Sequence, residues 1–265
     1  MSYSLKDLQL GTAFANIDKG DYKAALPILL RYAESDTDIQ YQLGFMYQNG
    51  MGVSVDDVQA AKWYEKAAEL GDMDAQFALA ELHDDNENHV AAVKWYEHAA
   101  AQGDADAQNN LARLYAEGLG VAQSYARAVE YWQAAAEQDD DNALYNLGVV
   151  FDDGLGCAPD VAKALNYYRK AAELGNMDAQ TNLGFHYVEG HGVEQDYVQA
   201  AAYFQAAAEQ GEPTAQFNLG LLYAEGNGVV QDAIQAATWW KLAAEQGDKD
   251  AEYALRVLQE EAKMV

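Results

Sequence analysis

Three features of this chain carry residue types that could do chemistry. The heptad HDDNENH, residues His83–His89, holds two imidazoles and three carboxylates, which are groups that bind zinc or transfer protons. Five Gly-x-Gly pairs, the first at Gly50 and Gly52, look like phosphate-binding loops. Cys157 is the one cysteine of the chain and a candidate nucleophile. Whether any of these residues takes part in binding or catalysis depends on the secondary-structure elements that position it.

The heptad and the glycine pairs each have a structural explanation. HDDNENH lies where one connector is shorter than its counterparts, and Asp and Asn favour turns through local hydrogen bonds. Its spacing matches none of the usual metal motifs, so we predict a short turn, with zinc binding by His83 and His89 as the alternative. The glycine pairs lack the preceding strand and the Lys-Ser/Thr of a phosphate loop, which indicates structural turns.

The remaining candidates give no catalytic group. Cys157 occupies a position that is valine in the corresponding segments, so we predict a small buried hydrophobic residue and not a nucleophile. His98, His186 and His191 fall at unrelated positions and suggest no Ser-His-Asp or Cys-His arrangement. The sequence therefore predicts no catalytic residue, no metal site and no cofactor.

Composition limits the partners. Asp and Glu total 43 against 16 Lys and Arg, which gives a formal net charge of −27. Such a surface repels nucleic-acid phosphates and anionic membranes, and it attracts basic proteins. There is neither a signal-peptide pattern nor an apolar run long enough for a membrane span. We expect a cytoplasmic monomer without membrane insertion, and a periplasmic or secreted location remains open if a leader was removed.

Aromatic pairs recur along the chain at nearly constant spacing. Alanine stands three residues before and four residues after the first aromatic of each pair. The pairs are Trp63-Tyr64, Trp95-Tyr96, Tyr131-Trp132, Tyr167-Tyr168, Tyr203-Phe204 and Trp239-Trp240. A period of this length is typical of helical repeats. We expect replacement of a first aromatic, such as Tyr131 or Trp239, to cost on the order of 3–5 kcal/mol.

The segment before each pair has a one-sided helical stripe. Segments such as DAQNNLARLY and TAQFNLGLLY place Ala, Leu and Tyr four residues apart. Each unit therefore contains a helix A, a turn and a helix B with the aromatic pair. Glycine ends most B helices, and an Asp or Asn suited to an N-cap follows it.

The pattern AQ-x-NLG-x-x-Y-x-x-G-x-GV…A-x-x-WY-x-x-AAE-x-GD resembles the Sel1-like repeat, a relative of the tetratricopeptide repeat. The resemblance implies an all-α fold, a right-handed α/α solenoid of about seven helix–turn–helix repeats that forms one domain over residues 1–265. An atypical N-terminal hairpin would cover residues 1–36, and a capping helix would cover residues 250–265. The repeats between them are predicted at 38–72, 74–104, 106–140, 142–176, 178–212 and 214–248.

Tetratricopeptide geometry also implies a concave groove lined by the A helices. The fifth positions of these helices are Tyr41, Phe77, Asn109, Tyr145, Thr181, Phe217 and Tyr253. The ninth positions are Phe45, Glu81, Arg113, Val149, Phe185, Leu221 and Val257. Buried aromatic anchors in such a groove are typical of protein interfaces. The fifth-position rings have a second explanation, which is packing in the core between repeats.

Three functions remain open at this point. The resemblance implies a non-enzymatic adaptor or regulator that binds a protein or peptide, possibly a basic one, in the groove. A narrower alternative is an immunity-type inhibitor of a basic toxin. An alternative of another class is an enzyme, because some cysteine-rich Sel1-like proteins are described as penicillin-binding proteins or weak β-lactamases. The single cysteine of this chain does not support their pattern of cysteine pairs.

Overall fold

The computed structural model describes residues 4–264, which form fifteen α-helices and one short 3-10 helix, with no β-strand in that range. None of these helices is both long and apolar enough to span a bilayer. In chain order the helices are α1 (Leu5–Asp18), α2 (Tyr22–Tyr32), α3 (Thr37–Gln48), α4 (Asp57–Glu69), α5 (Met73–Asp85), α6 (His89–Ala101), α7 (Ala105–Glu117), α8 (Tyr125–Ala136), α9 (Asp141–Asp153), α10 (Val161–Glu173), α11 (Met177–Glu189), α12 (Tyr197–Glu209), α13 (Pro213–Glu225), α14 (Ala233–Glu245) and α15 (Lys249–Met264).

The helices group into two compact units, of which the first ends at Tyr131 and the second begins at Trp132. Within each unit an A helix contacts the B helix that follows it, as α3 contacts α4 and α11 contacts α12. In the second unit, α11 also contacts α9 and α13, which are the A helices of the adjacent repeats. Side chains of consecutive A helices therefore meet on one surface of that unit.

The predicted helix boundaries are confirmed by capping contacts. Asp72, Asp104 and Asn176 each precede an A helix, and each side chain accepts a hydrogen bond from the backbone N–H three residues later. Pro213 is the first residue of α13, where a missing N–H costs nothing. Asp139 takes the position of the usual glycine and has a φ of 62°. Local sequence thus determines where these helices begin and end.

The aromatic pairs of the B helices divide into a buried ring and a half-buried ring. In five of the pairs only the second residue is buried, and in Trp95-Tyr96 both are. The cost expected for replacing Tyr131 or Trp239 assumed that these rings are buried, and that assumption is wrong because both are only partly buried. The buried rings are Tyr64, Tyr96, Trp132, Tyr168, Phe204 and Trp240.

Glycine on four A helices makes room for these buried rings. A Cβ at Gly184 would lie 2.5 Å from the ring of Phe204, and one at Gly148 would lie 2.4 Å from the ring of Tyr168. The Asn-Leu-Gly part of the repeat therefore brings the backbone of helix A against the aromatic face of helix B. The other two glycines of this kind are Gly44 and Gly220.

Buried glutamines join consecutive repeats. Gln216 on α13 donates to the carbonyl of Ala208 on α12 at 3.1 Å. Its own side-chain oxygen accepts a hydrogen bond from Gln246, at 3.0 Å. Gln76 and Gln180 make the same pair of contacts in their repeats. Because buried polar groups need partners, these contacts help to set the position of one repeat against the next.

We expect Gln216→Ala to lower the free energy of unfolding by about 1–3 kcal/mol, since it removes one hydrogen bond from the Ala208 carbonyl and one from the Gln246 amide. Urea denaturation followed by circular dichroism measures this loss. The matched control is Gln205→Ala, because Gln205 is exposed and its side chain donates to Glu209 in its own helix. A change of less than about 0.5 kcal/mol is expected there. Equal losses in the two variants would contradict a linking role for Gln216.

Candidate partner-binding surface

The predicted binding residues lie on the A helices of both units. In the first unit the A-helix surface consists of Tyr41, Phe45, Phe77, Glu81, Asn109 and Arg113 on α3, α5 and α7. In the second unit it consists of Tyr145, Val149, Phe185, Phe217, Leu221 and Tyr253 on α9, α11, α13 and α15. Their role in binding a partner stays a prediction.

The fifth-position rings are part core and part surface. Tyr41 lies against the buried ring of Tyr64 with centroids 5.6 Å apart, and Tyr145 lies against Tyr168 at 6.0 Å. Phe77 packs on Tyr96 in the same way, at 5.9 Å. Each of these three outer rings is half-buried. One face of the ring thus covers the core of its repeat while the rest remains accessible, so the two explanations of these aromatics are compatible.

The ninth-position residues are more accessible in the first unit. Phe45 is 37% exposed and stacks on Tyr41, with centroids 6.5 Å apart. Phe185 in the second unit is half-buried and meets Phe204 edge to face at 5.2 Å. An exposed phenylalanine beside a half-exposed tyrosine is the kind of anchor that protein interfaces bury.

Two pockets open on the A-helix surface of the second unit. Tyr145, Val149 and Phe185 line one of about 340 Å³, together with Asp152 and His186 and several further polar residues. Phe217, Leu221 and Tyr253 line the other, an apolar pocket of about 540 Å³. Tyr253 is 63% exposed at its rim. The structure therefore brings the predicted residues of this unit together in two groups.

Carboxylates surround the aromatic residues of the first unit. The pKa of Glu81 is raised, first by burial and then by repulsion from acidic neighbours on α5, on α7 and at the N-cap of α7, namely Asp85, Asp106, Asp104 and Asp84. Burial also raises the pKa of Tyr41, and the charges of Asp74, Asp72 and Glu81 add to that effect. A cation placed among these groups would relieve the repulsion.

The same pattern holds at the N-terminal ends of α5 and α7. Burial raises the pKa of Asp72, and the negative charges of Asp74 and Asp38 raise it further. Burial and the nearby Asp106 and Asp74 likewise raise the pKa of Asp104, although its hydrogen bond from Ala107 acts in the opposite direction. Negative charge is thus concentrated along the A-helix surface of this unit.

Arg113 is engaged within the chain. Its guanidinium bonds to the carboxylate of Asp84 and lies 3.2 Å from that of Glu117. Asp84 also accepts a hydrogen bond from Nδ1 of His89, at 2.9 Å. Arg113 therefore neutralises part of the acidic surface and links α7 to the end of α5.

The HDDNENH segment is mostly helical. His83, Asp84 and Asp85 form the last turn of α5, and His89 is the first residue of α6. The connector between them is only three residues long, and its central Glu87 has a φ of 58°. Burial lowers the pKa of the His83 imidazole. The predicted short turn is confirmed, and it is shorter than the heptad. The carboxylate of Asp84 contacts Arg113 and His89.

Two other candidates differ from the sequence prediction. Cys157 is exposed, so its prediction as a buried hydrophobic residue is wrong; its turn leaves the side chain at the surface, with Sγ 3.9 Å from the carbonyl of Val150. His186 is buried and meets Asp152 and His191, a grouping that sequence spacing did not suggest. The repeat itself could have revealed this grouping. The position of His186 holds Leu114 or another apolar residue in the other repeats, so a histidine there is unusual.

A family model described as Sel1 repeat matches six consecutive segments of this chain. The matched residues are 38–72, 74–104, 105–140, 141–176, 178–212 and 213–248. The chain belongs to the Sel1 repeat family. The predicted all-α class and α/α solenoid of Sel1-like repeats are therefore confirmed.

Solved Sel1 repeat structures resemble this chain closely. A Sel1 repeat protein from Oxalobacter formigenes is 33% identical with a TM-score of 0.86, and the match covers 96% of this chain and 76% of that one. The c5321 protein of uropathogenic Escherichia coli, a protective antigen with an SLR fold, is 34% identical with a TM-score of 0.84. That match covers 89% of this chain and 52% of c5321, so this Sel1 repeat chain spans about half of the E. coli protein. No curated protein sequence matches the chain.

Sel1 repeat proteins generally mediate protein–protein interactions, and the family is typically a non-enzymatic scaffold. The A-helix surfaces of this chain present accessible aromatic and acidic side chains.

Proposed function

We propose that this Sel1 repeat protein is an adaptor or regulator that binds a basic segment of another protein on the A-helix surface of its first unit. The observation that carries the proposal is the environment of Glu81, whose pKa is raised by burial and by four neighbouring carboxylates. Holding these charges together costs free energy that a cationic partner would recover.

Apolar anchors lie beside this charge. Phe45 stacks on Tyr41, and Tyr41 is close enough to Asp74, Asp72 and Glu81 for their charges to raise its pKa. A segment that alternates cationic and apolar side chains would place Lys or Arg on the carboxylates and cover the exposed part of the Phe45 ring. Aromatic contact supplies affinity in such an interface, while the charges supply specificity and fast association.

The experiment uses the full chain and a short synthetic peptide rich in lysine and leucine, with a version in which every lysine is replaced by glutamate. Fluorescence anisotropy should give a Kd of about 1–100 μM for the basic peptide and no binding for the acidic one. Raising NaCl from about 50 to 500 mM should weaken binding at least tenfold, since exposed charges are screened. Binding that is indifferent to peptide charge would overturn the proposal.

Two pairs of variants locate the site. Glu81→Lys should weaken binding about tenfold, whereas Glu69→Lys, the same charge change at an exposed position of the B helix α4, should have little effect. Phe45→Ala should weaken binding similarly, and Val58→Ala, at a 65% exposed position of α4, should not. Equal effects within either pair would mean that net charge or general hydrophobicity, and not this surface, determines binding.

An immunity-type inhibitor of a basic toxin is the narrower version of this proposal, and the same acidic surface supports it. It requires tight binding of such a toxin together with loss of the toxin's activity. Binding that leaves the activity intact would leave the general adaptor role and exclude the inhibitor.

A further inference from the structure

We propose that Asp152, His186 and His191 form a site for a divalent transition metal of the zinc type in the second unit. These residues each offer one ligand atom, and the three atoms lie within 4.8 Å of one another. Asp152 is in the last turn of α9, His186 is in the last turn of α11, and His191 lies in the connection that follows α11. Two imidazoles and one carboxylate are a ligand set that Zn²⁺ commonly takes.

Hydrogen bonding fixes which nitrogen of His186 is available. Its Nδ1 lies 2.9 Å from the backbone carbonyl of His191, and a carbonyl can only accept, so Nδ1 carries a proton. In the neutral imidazole Nε2 then has a lone pair, yet it lies 3.0 Å from Oδ2 of Asp152. Two acceptors at this distance need a cation between them, either a proton or a metal ion. A ring held by one nitrogen to a backbone carbonyl is the usual arrangement of a metal-binding histidine.

The second carboxylate oxygen favours the metal over the proton. Oδ1 of Asp152 is buried and has no hydrogen-bond partner, and the nearest imidazole atom identified, Nε2 of His191, is 3.7 Å away. A proton on His186 would leave this oxygen unsatisfied. Ligand atoms around one tetrahedral zinc at about 2.0–2.1 Å lie roughly 3.3–3.4 Å apart. Nε2 of His186 lies 3.0 Å from Oδ2 of Asp152, and one ligand atom from each of the three residues lies within 4.8 Å of the others, so side-chain movements would complete the site.

The internal repeats show that these polar groups replace apolar ones. The position of His186 is leucine at Leu82, Leu114 and Leu222. The position of His191 is apolar at Met51, Leu119 and Leu155 and is asparagine at Asn227. A buried histidine in a core position is expensive unless its nitrogens are satisfied, and here both replacements fall in one repeat and face the same carboxylate.

The site opens to a pocket that can take further ligands. His191 has a side chain that is 54% exposed, and Asp153 and Glu189 line the same pocket of about 340 Å³. A metal held by three side chains would keep at least one coordination position for water or for a carboxylate. Imidazole and carboxylate ligands suit zinc, cobalt and nickel better than calcium. The ion would join α9 to α11, so its binding should stabilise the contact between these two repeats.

The test is titration of the chelator-treated full chain with Zn²⁺ by calorimetry, and with Co²⁺ by visible absorption. One Zn²⁺ per chain with a Kd below about 10 μM is expected, together with the intense visible bands of tetrahedral Co²⁺. His186→Leu and His191→Leu should each weaken binding at least tenfold. Both should fold, because leucine occupies these positions in other repeats. Zn²⁺ should raise the melting temperature of the wild-type chain and not that of His186→Leu.

His98→Ala is the control, since His98 is an exposed histidine on α6 and should leave binding unchanged. Unchanged affinity in His186→Leu, or an equal loss in His98→Ala, would overturn the site. Absence of Zn²⁺ binding, with NMR showing both nitrogens of His186 protonated, would overturn it in favour of a simple ion pair with Asp152. The result is independent of the proposed function, which uses residues of the first unit.

Discussion

Replacing Phe204 with alanine is expected to lower the free energy of unfolding by about 3–5 kcal/mol. The ring is completely buried in a core cluster of the second unit, together with Leu219 of α13 and the alanines of its own helix, α12. It also meets the ring of Phe185 edge to face, with centroids 5.2 Å apart. Removal of the ring therefore loses the free energy of its burial and leaves a cavity next to two A helices.

The backbone opposite the ring makes this cavity hard to fill. Gly184 has no side chain that could move into the space, and the Phe204 ring occupies the place where a Cβ would otherwise stand. Helix backbones relax less easily than side chains, so the loss of unfolding free energy should lie toward the upper end of the range of about 3–5 kcal/mol.

Two variants control this prediction. Phe204→Tyr should change stability by less than about 1.5 kcal/mol, because tyrosine fills the same position at Tyr64, Tyr96 and Tyr168. Tyr203→Ala should cost about half as much as Phe204→Ala, because Tyr203 is only half-buried and stacks on Tyr187. Urea denaturation read by circular dichroism and by fluorescence measures all three, since repeats can unfold in separate steps. Equal losses for Tyr203→Ala and Phe204→Ala would show that the assignment of the core ring is wrong.

Gly228→Ala is expected to cost about 2–4 kcal/mol for a different reason. Gly228 has a φ of 70°, which an alanine adopts only with strain. A Cβ there would also lie 2.1 Å from the carbonyl oxygen of Tyr197 and 2.6 Å from the amide nitrogen of Val198. Because these are backbone atoms at the start of α12, the turn that contains Gly228 would have to move away from α12.

The control for this variant is Gly211→Ala. Gly211 also has a positive φ, 100°, but no atom lies within 4 Å of the place of its Cβ. Alanine there introduces only backbone strain, so we expect a cost of about 1 kcal/mol. The difference between the two midpoints in urea measures the contact between the Gly-x-Gly turn and the preceding repeat. If the two glycines prove equally costly to replace, that contact contributes nothing beyond the turn geometry.

The elements of this protein follow from local sequence, and so do their ends. A stripe of Ala, Leu and Tyr gives helix A one apolar face, and the Asp or Asn before it accepts a hydrogen bond at its first turn. These signals act over a few residues and recur along the chain, so local sequence is sufficient to define the Sel1 repeat and the helix boundaries. The fifth-position aromatics were likewise placed on helix A, although their division between core and surface stayed open.

Other features depended on packing that a linear pattern does not encode. Periodicity placed two adjacent aromatics on helix B, but only the approach of the glycine-bearing helix A decided that Phe204 and not Tyr203 is the buried ring. Cys157 shares its repeat position with half-buried valines, yet its own turn leaves it exposed.

What the sequence alone determined is the Sel1 repeat, its helices and its acidity. Tertiary structure alone decided which side chains of different repeats meet. Asp152 and His186 are 34 residues apart and at different positions of their repeats, so no spacing rule links them. They come within 3.0 Å because α9 and α11 lie side by side in the second unit. A repeat specifies the face that each residue occupies, whereas the packing of one repeat on the next determines its neighbours.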